Sequence, residues 1–243
     1  MSDAPKQPDA RLSLRLFRTA PHACSYLSGK SASTVFVDPE IIPTTDLLSQ
    51  LSEQGYRRSG PHLYRPDCED CAACRSVRIP VAEFLPSRRY RRVINRNRDI
   101  VVKIVECLEG NIEALALYQR YINTRHDDGD MYPATREQFD AFILNSSEST
   151  RFYCFYLGER LVAVTVCDVL LQGLSAVYTF FDPDEGRRSL GSLAILLLIE
   201  HARQLDLASV FLGYWVKGCA KMEYKLEFRP LDILQDKRWV RIK

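Results

Sequence analysis

The sequence predicts a mixed α/β (α+β) fold. A largely antiparallel sheet with flanking helices follows a smaller Cys- and Arg-rich N-terminal domain. Three observations carry this. Between residues 151 and 181, apolar β-type runs are separated only by tight turns at Gly158-Glu159 and Gln172-Gly173. Ser189 to Leu205 reads as a helix that is apolar nearly all round in its first half, the mark of a buried helix. Before about residue 108 the chain is rich in Arg, Cys and Pro, and regular alternating elements follow it. With 243 residues, 46% of them hydrophobic, the chain can bury a sizeable core. The expected division is a disordered tail over 1–15, an N-terminal domain over 16–108 and a C-terminal domain over 109–243.

The elements follow in order. Thr45 to Gln54 reads as a helix capped by Thr44 or Asp46 and ended by Gly55. Arg57 to Leu63 and Val77 to Val81 read as extended. Ser87 caps a helix from Arg88 to about Asn97, and the Ile-Val-Val-x-Ile-Val run makes Asp99 to Leu108 a strand. Ile112 to Thr124 and Thr135 to Ile143 read as helices around the turn-forming stretch 125–130. Arg151 to Leu157, Arg160 to Leu170 and Leu174 to Phe181 form an antiparallel meander. The buried helix comes next, then a strand at Ser209 to Trp215, a helix at Lys217 to Leu226 and a strand at Phe228 to Leu234.

The longest apolar run, Leu193 to Ile199, is far short of the roughly 20 residues a membrane span needs. Residues 1–10 are polar and lack the apolar stretch of a secretory signal. A cytoplasmic protein is expected. The net charge is only +2, yet between Arg57 and Arg98 eleven arginines face four acids. Such a patch suggests one anionic partner surface. Its densest part is Arg88, Arg89, Arg91, Arg92, Arg96 and Arg98, with no acid among them. At helical spacing Arg88, Arg92 and Arg96 share one face, suited to tracking phosphates, and Tyr90 is placed to stack on a base.

The order of meander, buried helix, strand, helix and strand resembles the acyltransferase architecture of the N-acetyltransferase (GNAT) superfamily. That resemblance places donor phosphates at Arg187, Arg188, Ser189 and Gly191, where a helix N-terminus offers exposed amides. Several blocks together resemble the family of arginyltransferases and aspartate/glutamate leucyltransferases. They are Cys24-Ser25-Tyr26-Leu27, Gly55-Tyr56-Arg57-Arg58-Ser59-Gly60, Tyr64-Arg65-Pro66, Pro86 to Arg92, and Arg96-Asn97-Arg98-Asp99. Arg125-His126, Tyr178 to Pro183, Arg187 to Gly191, Leu212 to Trp215 and Met222-x-Tyr224-Lys225 continue the match. The short length and the cysteine spacing resemble the bacterial leucyltransferase branch.

The resemblance implies an enzyme that moves an amino acid from aminoacyl-tRNA (Leu-tRNA in that branch) to the N-terminal amine of proteins beginning with Asp or Glu. This marks them for N-degron (N-end rule) degradation. The chemistry needs alignment, an acceptor for one proton and donors for an oxyanion. Asp182 is the expected partner of the acceptor ammonium, or simply a turn before Pro183. Tyr178 and Tyr214 are expected to present hydroxyls, or to be core aromatics. His126 is a weaker candidate base in an acidic loop. An acidic acceptor needs a cation, for which Arg57, Arg58 and Lys225 are candidates.

Cys68, Cys71 and Cys74 repeat at x2 spacing, one ligand short of a tetrahedral site. Cys24 is the expected fourth, for Zn or an iron–sulfur cluster, against a thiol cluster without metal. No cofactor is expected for the chemistry itself. An arginyltransferase, a coenzyme-A-dependent acetyltransferase and a metal-stabilised RNA-binding module are the competing readings. Leu193 stands where the coenzyme-A loop usually has a small residue.

Overall fold

The structure, a computed structural model, describes residues 14–129 and 131–242. The expected tail falls largely outside them. Strands β1 (Leu16–Arg18), β4 (Thr34–Val37), β5 (Arg57–Ser59) and β6 (His62–Pro66) form one sheet in the order β1-β4-β6-β5. β2 (His22–Ala23) and β3 (Ser31–Ala32) make a small hairpin beside it. Helix α1 (Thr45–Glu53) is capped by the Thr44 hydroxyl, which accepts from the Leu47 amide, and is followed by Gly55 at φ +87. Helix α2 (Arg88–Arg96) is capped by Ser87 in the same way. Both caps agree with the sequence.

The large sheet also contains β7 (Cys74–Pro80), β8 (Ile100–Val105), β9 (Thr150–Leu157), β10 (Arg160–Val169) and β11 (Gly173–Phe181). β12 (Ser209–Val216), β13 (Leu231–Gln235) and β14 (Arg238–Ile242) complete it, in the order β14-β13-β7-β12-β11-β10-β9-β8. The β8 to β11 meander is antiparallel and β11 pairs with β12 in parallel. The expected mixed, largely antiparallel sheet with flanking helices is thus present. β7 and β8 precede residue 109, so this sheet draws on both sides of the expected 108/109 boundary.

On one face α5 (Leu190–Gln204) packs with α2 over the sheet. Leu193, Ala194, Leu198 and Ile199 are buried among Val77, Ile79, Phe155 and Leu212. On the other face α3 (Ile112–Arg125), capped by Asn111, and α4 (Arg136–Phe139) cover Phe152, Val164 and Phe180. A third cluster of Leu47, Leu48, Leu51, Leu63 and Phe211 joins α1 and the four-stranded sheet to β12.

Two expectations are corrected, and one strand is added. The segment Arg57 to Leu63 is a hairpin, because Gly60 turns at φ +55 with Pro61 after it. The expected helix Lys217 to Leu226 is 3₁₀ over Ala220–Glu227, with Gly218 at φ +87 before it. Strand β14 pairs with β13 across the turn at Asp236 and Lys237, where both residues adopt positive φ.

Arg58 ties the two sheets together. Its guanidinium donates to both oxygens of Asp168 on β10, at 2.7 and 2.8 Å, to Thr150 Oγ1 at 3.2 Å and to the Gly60 carbonyl at 2.9 Å. Both charged side chains are almost wholly buried. Removing one partner of a buried pair strands the other charge away from water. Asp168→Ala is therefore expected to lower the unfolding free energy by about 3–5 kcal/mol in urea denaturation.

Candidate active site

The sheet is split at one place. β11 and β12 pair over only three positions, Gly173↔Ser209, Leu174↔Val210 and Ser175↔Phe211, and then part. Each strand shifts register against its other neighbour just there. β11 carries an extra residue at Val177 against β10, and β12 one at Leu212 against β7. A bulge bends its strand and increases local twist, so two bulges on adjacent strands hold the split open.

Arg57 fills the split. Its Nη2 donates to the Ala176 carbonyl of β11 at 2.7 Å. Its guanidinium lies 3.4 Å from where a Cβ on Gly213 of β12 would stand. Gly213 has φ +79, so glycine serves both the backbone conformation and the close approach. The next carbonyl along β12, that of Tyr214, accepts from Lys225 Nζ. Met222 Sδ lies 3.4 Å from the same ammonium.

Arg57 and Lys225 are thus two buried cations beside consecutive residues of β12. Neither has a carboxylate within ion-pair distance among the described residues. Burial, and after it the neighbouring Arg57 charge, push the Lys225 ammonium down to about 7. Burial lowers Arg57 as well, against the favourable fields of Tyr214, Tyr64 and Asp168. Buried charge is normally paired. Arg57 and Lys225 stand at the split with no counter-charge among the described residues.

The consecutive arginines separate because successive side chains of a strand point to opposite faces. Arg57 enters the split. Arg58 turns to Asp168, so its expected place beside an acceptor is not found. Tyr214 lies at the split, but its hydroxyl donates to the Gly55 carbonyl at 2.7 Å and lies 3.2 Å from that of Tyr64. It holds β12 to the N-terminal sheet and has no proton free for chemistry.

Tyr178 stands just past the β11 bulge, in edge contact with Phe142 at 5.0 Å and Tyr121 at 6.5 Å. Its hydroxyl has no hydrogen bond among the described residues, and burial holds its pKa up, so it remains a proton donor. Tyr121, which sequence reasoning missed, meets His126 Nε2 through its hydroxyl at 3.1 Å. Burial, with Lys221 and Arg125, lowers that histidine. Tyr121 lies mid-helix in α3 with no motif to single it out.

Asp182 is placed differently from the expectation. It is 1% exposed. It accepts from Arg120 at 3.1 Å and from Arg160, and caps the 3₁₀ turn Pro183–Arg188 by accepting from the Asp184 amide at 3.1 Å. Two guanidinium groups and an amide thus take three of the carboxylate's roughly four acceptor positions.

A second surface lies beside α5. Arg88, Arg89, Arg91, Arg92 and Arg96 are exposed along α2, while Tyr90 and Val93 are buried. Tyr90 stacks on Phe228 at 4.6 Å, so it is not free to stack on a base. Arg96 donates to the Arg187 carbonyl, and Asn97 Nδ2 donates to the Arg188 carbonyl at 2.9 Å. The two basic motifs therefore form one continuous patch. Arg188 pairs with Asp99 and Glu185, and Arg89 with Glu227. Arg88, Arg91, Arg92 and Arg187 have no acidic partner among the described residues. Ser189, at φ +55, and Gly191 form the entry to α5.

The cysteines do gather. Cys24, Cys68, Cys71 and Cys74 line a cavity of about 380 Å³ with Tyr26, Tyr64 and Tyr214. Burial pushes the free Cys74 thiol up to about 12, and its neighbours Cys24, Cys68, Cys71 and Cys219 raise it too. Among the described residues no three His, Cys, Asp or Glu side chains are placed to hold a metal ion. The residues as arranged do not fit a Zn or iron–sulfur site, and no step of the chemistry is routed through one. No helix among the described residues is long and apolar enough to cross a membrane.

Gly213→Ala puts a Cβ at positive φ against the Arg57 guanidinium. It is expected to cost about 1–3 kcal/mol in chemical denaturation.

Residues 22–92 match the model described as arginine-tRNA-protein transferase, N terminus, and residues 113–235 the one described as arginine-tRNA-protein transferase, C terminus. An aspartate/glutamate leucyltransferase of Pseudomonas putida is 50% identical over 227 residues, 93% of this chain and 96% of that protein. One from Pseudomonas fluorescens is 50% identical over 228 residues, with the same shares covered. Among solved structures, the C-terminal domain of a putative lysylphosphatidylglycerol synthetase from Agrobacterium fabrum reaches TM-score 0.45 at 15% identity. It covers 70% of this chain and 52% of that one, a slight likeness. The elements that build the split sheet and its basic flank lie within the two matched stretches or the aligned span of these relatives, and the chain belongs to the arginine-tRNA-protein transferase family.

Proposed function

We propose that this transferase moves leucine from Leu-tRNA to the N-terminal amine of proteins beginning with Asp or Glu, marking them for N-degron degradation in the cytoplasm. The observation that carries the reading is the unpaired pair of buried cations, Arg57 and Lys225, at the split between β11 and β12. An Asp or Glu side chain supplies the missing negative charge, and Arg57 offers it a guanidinium fork. The relatives' name and the rings of Tyr121, Phe142 and Tyr178 favour an apolar donor residue over arginine, which would need an acid beside it.

In this reading residues 16–108 contribute Arg57 and the α2 arginines, and residues 109–243 contribute the split and the α5 entry. Arg88, Arg89, Arg91, Arg92, Arg96, Arg187 and Arg188, with the α5 amides at Ser189 and Gly191, hold the tRNA backbone near the acceptor end. The reaction replaces an ester by an amide, so alignment of amine and carbonyl supplies most of what is needed, up to about 7–11 kcal/mol in ideal cases. Tyr178 is the proposed donor to the oxyanion, since its hydroxyl is protonated and unbonded within the protein.

Labelled Leu-tRNA or Arg-tRNA, with peptides beginning with Asp, Glu, Asn or Ala, tests this directly. Label is expected to pass from Leu-tRNA to the Asp and Glu peptides. Transfer from Arg-tRNA instead overturns the donor assignment, and equal transfer to Asn peptides overturns the role of the cations. Arg57→Met, checked for folding by circular dichroism, is expected to lose at least about 100-fold in kcat/KM for Asp peptides. Alanine at Arg88, Arg91 and Arg92 is expected to weaken tRNA binding for every sequence alike. The slope of log affinity against log salt should flatten by about one unit for each phosphate-binding arginine removed.

A further inference from the structure

We propose that Arg125 holds the phosphate of the 3′-terminal nucleotide of the donor tRNA, and so sets how far the aminoacyl ester reaches into the split. The inference rests on the reading of the split as the place of that ester, and adds the contact that fixes the donor's register there.

Arg125 is the last residue of α3 and is exposed. Its guanidinium carbon stands 5.3 Å from the centre of the Phe181 ring. The same ring abuts the first turn of α5, where a Cβ on Gly191 would lie 3.4 Å from Phe181 Cε1. Phe181 also packs against Tyr121 at 4.9 Å, and Tyr121 meets Tyr178 at 6.5 Å. Arg125, the start of α5 and the mouth of the split are thus gathered around two adjoining rings. Solvent reaches this place. Phe181, Gly191 and Tyr178 are partly exposed, as are Ala176, Val177 and Thr179 of β11, just beyond its last pairing with β12.

Charge singles out Arg125 among the cations here. Asp182, Asp184 and Glu185 are matched by Arg120, Arg160 and Arg188. Arg58 is bound to Asp168. Arg57 and Lys225 face the acceptor in the reading above. Arg125 has no acidic partner among the described residues. An arginine placed over an aromatic ring keeps its charge and its fork of donors while losing rotamer freedom, so less is lost when it binds phosphate.

A tRNA carries its amino acid on the 3′-terminal nucleotide, whose own phosphate is the last along the chain. A phosphate held at Arg125 lies at the Phe181 end of β11. Tyr178, the proposed donor to the oxyanion, is three residues back along that strand, about 10 Å. One nucleotide covers that order of distance between its 5′ phosphate and an ester on its ribose. The α2 arginines then grip the tRNA farther from the ester, and Arg125 places the reacting carbonyl. Losing an α2 arginine weakens the hold on the whole tRNA, whereas losing Arg125 leaves the last nucleotide unfixed.

A donor with one altered phosphate tests this. Leu-tRNA is prepared with its last linkage, between the terminal C and A, as a neutral methylphosphonate, and kcat/KM for the donor is measured with saturating Asp peptide. The wild-type protein is expected to lose about tenfold or more with this donor. Arg125→Met, checked for folding by circular dichroism, is expected to lose as much with natural Leu-tRNA, and no more when the neutral linkage is added. With the neutral linkage moved one nucleotide inward, the loss caused by Arg125→Met is expected to return in full. Two losses that multiply show an arginine acting independently of that phosphate and overturn the proposal. A wild-type protein indifferent to the last phosphate overturns it as well. Failure of the underlying site reading looks different: Tyr178→Phe then leaves transfer from natural Leu-tRNA unchanged.

Discussion

The structure turns on the parting of β11 and β12. A parallel pair that separates after three positions leaves backbone groups that must find partners or water. The chain meets this demand with a side chain from the other sheet, as Arg57 reaches across to the Ala176 carbonyl. The two register shifts, the positive φ of Gly213 and the Tyr214 hydroxyl bond to Gly55 all serve the same junction.

Two adjacent arginines show how burial and pairing divide structure from function. Both are 8% exposed. Arg58 has a full complement of acceptors, including both oxygens of Asp168, and its charge is satisfied within the protein. Arg57 has one carbonyl and a second cation beside it. The first arrangement anchors the N-terminal sheet to the meander. The second leaves positive charge in want of a partner, and in this family the substrate is a natural source of one. Asp182 belongs to the first kind: two arginines and an amide hold it where the chain turns toward α5.

The basic patch follows a different logic. Its arginines stay exposed because nothing packs over them, while Tyr90 and Val93, on the opposite face of α2, are buried against Phe228 and α5. The bond from Arg96 to the Arg187 carbonyl brings motifs 91 residues apart into one surface. That surface lies over the same helix whose N-terminus follows β11, so the patch and the split share one support.

The sequence by itself determined the meander, the buried helix, the helix caps at Thr44 and Ser87, the exposed arginine face and the family. Each depends on local chemistry or on the order of motifs along the chain, and neither requires knowing which distant segments meet. It also named Arg57 and Lys225, but among rivals it had no means to rank. Tertiary structure sent Arg57 into the gap and Arg58 to Asp168, because their directions depend on which face of β5 meets the gap. It bound Asp182 and the Tyr214 hydroxyl into internal pairs, brought Tyr121 to the site and placed β7 in the middle of the large sheet. It also gathered the cysteines around a cavity in a form that does not make a ligand set. These outcomes depend on which residues far apart in the chain come to touch. Such meetings set burial, and burial decides whether a charge is already paired or still open to a partner.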